Sequence, residues 1–154
     1  MSNEPLVYLC GTITSDPKYL EWRKDAARLL LGHGIGSLDP VRGKNPCDWG
    51  KDGLVTDKDQ VIYANGGFVP RDKRDVMRSD ALLLGFWEPP DRQSIGTWCE
   101  FGWATAWDIP IVVCSELPEV VEHPFIWRQA AKVCATLEEG VEYLAFLLSE
   151  KWSG

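Results

Sequence analysis

Short apolar runs alternate along the chain with longer segments whose apolar residues recur at helical spacing. The first run ends at Gly11, the pattern of a buried strand that stops at a tight turn. Five runs are predicted as strands: "LVYLC" (6–10), "IGSLDP" (35–40), "ALLLGFW" (81–87), "IPIVVC" (109–114) and "VCAT" (133–136). Because the first, third and fourth runs are apolar throughout, both faces of their sheet are expected to be covered.

Segments with helical signals separate these strands. In the first of them, residues 15–34, Asp16 is a candidate N-cap, and Leu20, Ala27 and Leu31 form an apolar stripe. Residues 41–67 carry little periodicity and are interpreted as a long loop. The remaining helices are predicted over residues 71–80, 94–104, 125–132 and 137–152.

This alternation of strands and helices predicts an α/β fold. We expect an open, doubly wound parallel sheet, flavodoxin-like or Rossmann-like, with about five strands in the order 2-1-3-4-5 and helices on both faces. A chain of 154 residues with 45% hydrophobic content is long enough for one domain with a full core and too short for two. The sequence therefore predicts a single domain over residues 1–154.

Composition and charge narrow the choice of partners. The five cysteines are widely spaced and form no C-x-x-C pair, which favours reduced thiols, a cytoplasmic protein and no bound metal. The chain has no apolar stretch of bilayer-spanning length, so no membrane partner is expected. A formal net charge of -7 repels polymeric nucleic acid. A nucleoside or a small phosphate is still compatible, because backbone amides bind anions locally.

One carboxylate stands out in the segment "SIGTWCEFGWA", where small, aromatic and apolar residues surround Glu100. Ionised groups are seldom buried without a partner, so a core-facing Glu needs an explanation. Ser94 is positioned to cap the helix, Gly96 allows a ligand close to the backbone, and Thr97 adds a hydroxyl. The helix end is expected to keep Glu100 ionised and suited to act as a nucleophile. The alternatives are an exposed Glu100 paired with a lysine, and a turn that only caps its helix.

Three segments are expected to meet beyond the carboxyl ends of the strands, where doubly wound sheets bind their ligands. The first is "CGTIT", which contains Gly11. The second consists of "RDKRD" before the third strand and "FWEPP" after it, and the third is "SIGT" before Glu100. Trp87 ends the third strand. It is placed either to cover a base or to pack in the core.

The sequence resembles the nucleoside 2-deoxyribosyltransferase family in "VYLCGT", "RDKRDVMRSDALLLGFWEPP" and "SIGTWCEFGWATAWDIPIVV". The resemblance implies that Glu100 attacks the anomeric carbon of the sugar, expels the base and holds a covalent glycosyl intermediate until another base accepts the sugar. It implies further that Tyr8 orients Glu100 and that Asp72 is an acid at the leaving base. Such a reaction needs no cofactor. The implied partners are a nucleoside or nucleotide, a free nucleobase, and further copies of the chain in a homo-oligomer.

Two positions leave the substrate and the acid open. The best-known transferases of the family carry an Asp that binds the sugar 5'-hydroxyl, and this chain has Ser94 at that position. Relatives that hydrolyse nucleoside monophosphates have a Ser there, which contacts the phosphate. Asp75 shares a helical face with Asp72 and competes for the acid role or for contact with the substrate. Both could also belong to a solvated, charged helix start. The alternatives to base transfer are hydrolysis of a nucleoside 5'-monophosphate and a non-catalytic module that binds a nucleotide.

Overall fold

The computed structural model describes residues 4–14, 16–42, 68–89 and 94–149, and these residues contain one sheet of five parallel strands. The strands are β1 (Leu6–Cys10), β2 (Gly36–Leu38), β3 (Ala81–Gly85), β4 (Ile111–Cys114) and β5 (Lys132–Cys134). Their order across the sheet is β2-β1-β3-β4-β5, and every neighbouring pair is parallel. The predicted fold class and strand order are confirmed.

Helices cover both faces of the sheet, as the apolar strands require. The helices are α1 (Glu21–Gly32), α2 (Phe68–Arg78), α3 (Ile95–Ala106), α4 (Pro118–Val121), α5 (Pro124–Trp127) and α6 (Leu137–Leu147). Val7 and Leu9 of β1 belong to the core cluster that α1 and α6 cover. Tyr8 and Cys10 point to the opposite face, where they join the cluster that α2 and α3 cover. Side chains alternate along a strand, so β1 presents polar chemistry to the α2/α3 face only.

The first predicted helix begins later than the sequence signals indicated. Asp16 is indeed a cap, but of a single 3-10 turn over Pro17–Tyr19, where its carboxylate accepts a hydrogen bond from the Lys18 backbone N–H at 3.1 Å. The α-helix starts only at Glu21. A cap residue marks a turn start, and the residues after it decide whether the turn continues as an α-helix.

The predicted apolar stripe of this helix is wrong. Ala26 and Leu30 are buried, whereas Leu31 is 69% exposed. Three consecutive leucines at 29–31 are compatible with either rotation of the helix, so their pattern did not fix which face meets the sheet. The buried row also contains a charged residue, Arg23, which the stripe prediction left out.

Other boundaries differ by a few residues. Helix α2 begins at Phe68, three residues before the predicted start. The helix predicted over 125–132 is the four-residue α5, and the short α4 before it was not predicted. The predicted loop beyond Arg42 and the end of the last predicted helix, 150–152, lie outside the described residues. None of the helices in the described part of the chain combines the length and apolar character that a bilayer crossing needs.

Two glycines bring the carboxyl ends of β1 and β3 close together. A Cβ atom added to Gly11 would lie 2.7 Å from the carbonyl oxygen of Gly85, and one added to Gly85 would lie 2.8 Å from the Trp22 ring. Side-chain carbon atoms do not approach other heavy atoms so closely, so both positions exclude larger residues. The edge of the sheet at which ligands collect in this fold is thus closely packed against α1.

Candidate active site

A hydrogen-bonded pair of side chains joins β1 to α3 in the core of the α2/α3 face. The Tyr8 hydroxyl donates to Oε1 of Glu100 at 2.9 Å, and both residues are buried. Glu100 faces the sheet because the buried residues of α3 recur at helical spacing: Thr97, Glu100, Phe101 and Ala104. Burial raises the pKa of Tyr8 far above its usual value, and the negative charge of Glu100 raises it further. Tyr8 therefore stays protonated and acts as a donor to Glu100.

Burial governs the charge of Glu100. It raises the pKa of Glu100 to about 7, against hydrogen bonds from Cys10 and Tyr8 and the positive charge of Arg23, which lower it. The helix end is not among the causes that set this pKa. Glu100 lies in the second turn of α3, and the influence of a helix terminus falls off within the first turn. A carboxyl group that titrates near neutral pH changes its charge readily during a reaction.

A third group of the same site is the Cys10 thiol. Cys10 is fully buried, and its Sγ lies 3.5 Å from the carbonyl oxygen of Thr97, one turn before Glu100 on α3. Burial raises the pKa of Cys10 well above its usual value, and the charge of Glu100 raises it further. The thiol is therefore a neutral donor at the site and not an activated nucleophile.

Asp72 and Asp75 are both buried on α2, but in different surroundings. Asp72 lies close enough to Glu100 and Tyr8 for its negative charge to raise the pKa of each. Its Oδ1 accepts hydrogen bonds from Arg71 at 3.1 and 3.3 Å. Asp75 instead pairs with Arg78 at 3.0 Å and with Arg42. Of the two candidate acids, Asp72 is the one whose charge acts on Glu100. Asp75 instead links α2 to Arg42, which follows β2.

The turn before α3 differs from a simple capped helix. Ser94 is the N-cap residue, but its side chain makes no capping hydrogen bond to the backbone; its Oγ lies 2.6 Å from Oγ1 of Thr97. Thr97 is buried, one turn before Glu100. Gly96 is exposed, and among the described residues a Cβ atom added there would have no neighbour within 4 Å. The Ser94 side chain thus contacts the Thr97 hydroxyl instead of capping the helix, and the backbone at Gly96 beside this pair is exposed.

Trp87 lies beyond the carboxyl end of β3 and packs partly into the protein. Its Nε1 donates to the carbonyl oxygen of Ala135 at 3.0 Å, and its ring contacts Trp22 edge-on, with centroids 5.8 Å apart. Both tryptophans line a cleft together with Thr12, Lys18, Tyr19, Gly85, Phe86 and Glu88. The Thr12 hydroxyl is buried and makes no hydrogen bond within the described part of the chain. The cleft therefore offers aromatic faces and one unpaired polar group.

Arg23 is a site residue that the sequence interpretation missed. It is 1% exposed, and its guanidinium donates to the carbonyl oxygens of Leu9 at 2.7 Å and Gly11 at 2.8 Å, at the end of β1. A signal was present: Arg23 precedes the buried Ala26 and Leu30 by three and seven residues, so it lies on the sheet-facing row of α1.

In the described ranges, no three His, Cys, Asp or Glu side chains lie close enough together to hold a metal ion.

Comparison with known proteins places this geometry in a known fold. No family model and no curated protein matches the chain. Among solved structures, a 2-deoxyribosyltransferase from Bacillus psychrosaccharolyticus is similar, with 15% identity, a TM-score of 0.68 and coverage of 90% of this chain and 91% of that one. A 2-deoxyribosyltransferase from Leishmania mexicana has 13% identity, a TM-score of 0.69 and coverage of 94% and 99%. The chain has the fold of these enzymes.

A third similar structure is the CMP N-glycosidase of Clostridium botulinum, with 15% identity, a TM-score of 0.52 and coverage of 92% of this chain and 98% of that one. The fold neighbours thus match the family that the sequence resembles, and they include 2-deoxyribosyltransferases and a CMP N-glycosidase.

The raised pKa of Glu100 predicts a pH-dependent stability. The pKa is 4.5 when the group is unperturbed and about 7 in the fold, so the folded protein binds this proton more tightly than the unfolded chain. Below about pH 4.5 Glu100 is protonated in both states and does not change the free energy of unfolding. That free energy falls as the pH rises from about 4.5 to about 7, and it stays lowered at higher pH. Glu100→Gln removes this titration.

We expect Glu100→Gln to be more stable than wild type at pH 8 by up to roughly 3 kcal/mol, and to lose that advantage at pH 4.5. Urea unfolding of both proteins at pH 4.5, 6 and 8 measures the difference. A stability difference that is the same at all three pH values would contradict the buried, titrating carboxyl.

Proposed function

We propose that the protein cleaves the N-glycosidic bond of (deoxy)nucleosides or their monophosphates through a covalent glycosyl-Glu100 intermediate and transfers the deoxyribosyl group to another base. The observation that carries this proposal is the buried Tyr8–Glu100 pair, 2.9 Å apart, on a face of the sheet where nothing structural requires a carboxylate. Its support comes from the sequence resemblance and from fold neighbours that act on nucleosides and nucleotides.

In the first step, a carboxylate oxygen of Glu100 forms a bond to the anomeric carbon while the bond from that carbon to the base nitrogen breaks. Tyr8 donates to Oε1, which fixes the carboxylate plane and leaves the second oxygen for the attack. Glu100 must lose its proton first, and a pKa of about 7 makes this possible near neutral pH. The buried setting keeps water from the glycosyl ester that results.

The departing base needs a proton, and Asp72 is the group we assign to deliver it. Its charge is felt by both Glu100 and Tyr8, so it lies at the same site. Glu100 must give up a proton before it attacks, and we assign Asp72 to receive it. In the proposal that proton moves from Glu100 to Asp72 and then to the base nitrogen.

In the second step an acceptor base attacks the anomeric carbon, the ester bond to Glu100 breaks, and the proton of the attacking nitrogen returns to Asp72. Two displacements at one carbon retain the configuration of the sugar. These two carboxyl groups supply all the proton transfers, and Tyr8 keeps its proton throughout, so the proposal invokes no cofactor. The cleft that Trp87 lines with the unpaired Thr12 hydroxyl lies at the carboxyl ends of β1 and β3, and we assign it as a candidate contact for the planar base.

A second candidate function is hydrolysis of a nucleoside 5'-monophosphate to the free base and the sugar phosphate. It is favoured by Ser94, whose hydroxyl lies 2.6 Å from that of Thr97 beside the open backbone of Gly96, at the start of a twelve-residue helix. Hydroxyl and backbone donors at such a position suit a phosphate, whereas a carboxylate there would repel it. One of the fold neighbours is a CMP N-glycosidase.

Ser94→Asp is expected to move the preference towards unphosphorylated substrates. A negative side chain beside the 5'-phosphate should lower kcat/KM for monophosphates relative to nucleosides by about tenfold or more, the effect of a single close repulsion in a polar setting. Ser94→Ala is the matched control, because it removes the hydroxyl without adding charge. An unchanged preference in Ser94→Asp would mean that Ser94 only begins the helix.

Product analysis distinguishes the candidate functions. The wild-type protein is incubated with a panel of nucleosides and 5'-monophosphates, with and without a free acceptor base, and the products are separated by chromatography. Base exchange supports the transferase, and free base with a sugar phosphate supports the hydrolase. Binding without any product would support a nucleotide-binding module and contradict the proposed chemistry.

A further inference from the structure

Of the arginines in the described part of the chain, only Arg23 is buried, with 1% of its surface exposed. A buried charge is costly unless it is closely paired. The nearest carboxylate, Asp39, is 3.5 Å from its Nη1 and is 31% exposed, and the Arg23 Nε has no hydrogen-bond partner among the described residues. Its two short hydrogen bonds go to neutral carbonyl oxygens, so much of its positive charge acts on the interior.

Arg23 and Glu100 contact the same segment, residues 8–11, from opposite faces of the sheet. Arg23, on the α1 face, binds the carbonyl oxygens of Leu9 and Gly11. Tyr8 and Cys10, which alternate with them along the chain, face α3, where Tyr8 donates to Glu100 and Cys10 donates to the carbonyl oxygen of Thr97, one turn before Glu100. The end of β1 therefore connects a buried cation to a buried acid.

We propose that Arg23 is a positioning residue of the active site: it fixes the carboxyl end of β1 and supplies, from the opposite face of the sheet, the positive charge that lets Glu100 ionise before it attacks. This role rests on the proposed function. The geometry gives Arg23 two separable contributions, one through its hydrogen bonds to β1 and one through its charge.

The groups that shift the pKa of Glu100 come from three elements, β1, α1 and α2, and Arg23 is the only one of them that carries a positive charge. Tyr8 and Cys10 of β1 donate neutral hydrogen bonds, and Asp72 of α2 is negative and opposes ionisation. Arg23 of α1 is the cation among the groups that shift the pKa of Glu100, and it lowers that pKa. Removing its charge should therefore raise the pKa of Glu100 above about 7.

The experiment follows the titration of Glu100 directly. Protein labelled with carbon-13 at the glutamate carboxyl is titrated by NMR, and Glu100→Gln identifies the resonance. In Arg23→Met, which keeps much of the side-chain volume, we expect the midpoint to rise by about one pH unit, the order of magnitude for the loss of one nearby charge in a partly polar interior. Arg23→Lys keeps the charge and should stay near wild type. Arg28→Gln, an exposed position on the same helix, is the control without effect.

The acidic limb of the pH profile of kcat/KM should move upward with the NMR midpoint in Arg23→Met. An unchanged midpoint in Arg23→Met, or an equal rise in Arg23→Lys, would overturn the charge role. A shifted midpoint in a protein that has no glycosyl activity would refute the proposed function and not the coupling. If Arg23→Met fails to fold, Asp39→Asn tests the charge role instead. Removing this counter-charge of Arg23 should lower the midpoint of the Glu100 titration, and no decrease would overturn the proposal.

Discussion

Glu100→Ala is expected to reduce turnover by about 10⁴-fold or more, the size of loss that follows removal of a covalent nucleophile. No other group of the site can replace it, because Tyr8 and Cys10 are held protonated by burial and Asp72 is assigned to the proton transfer. Steady-state rates with the best substrate of the panel give the measurement.

The fold and the binding of substrate should survive this substitution. Glu100 contributes a buried polar group and not apolar packing, and its removal lifts a desolvation cost. Circular dichroism and calorimetric titration with a nucleoside check these two points. Glu142→Ala, at an exposed position of α6, is the control with normal rates. Near-normal turnover in Glu100→Ala would show that another group attacks the sugar.

Asp72→Asn is expected to slow the cleavage of natural bases by about 10²–10⁴-fold, the range for loss of a general acid. A substrate whose leaving group departs without a proton should be much less affected, because protonation no longer limits its cleavage. The ratio of the two rates is the informative quantity, since a general loss of active protein cancels from it.

Asp75→Asn is the matched control for Asp72. Asp75 is equally buried on the same helix but pairs with Arg42 and Arg78, so its substitution should lower stability and leave the ratio of the two rates unchanged. A changed ratio in Asp75→Asn with a normal ratio in Asp72→Asn would exchange the roles of the two residues.

The fold was accessible from the sequence because its signals are local. Fully apolar runs such as residues 81–84 leave little choice but a strand covered on both faces, and their alternation with helical segments restricts the topology. The rotation of α1 was not accessible, since the leucines at 29–31 fit two faces and only the packed sheet selects one. Propensity and periodicity do not contain that tertiary choice.

Part of the site could be predicted from the sequence. The apolar surroundings of Glu100 marked it as unusual, and the family resemblance named Tyr8, 92 positions away in the chain, as its partner. The raised pKa of Glu100 could not be predicted from the sequence, because it is set mainly by burial, and burial is a property of the assembled core. Arg23 was overlooked because a charged residue in an amphipathic helix is ordinarily solvent-exposed.

The central claim is that Glu100 forms a covalent bond to the sugar, and trapping that intermediate tests it most directly. A nucleoside with a 2-fluoro sugar slows departure from the enzyme, so the wild-type protein should gain the mass of one fluorinated sugar. Peptide fragmentation should place that increment on Glu100, and Glu100→Ala should gain nothing. An increment on Asp72 or another carboxylate, or continued turnover with no increment at any stage, would contradict the account.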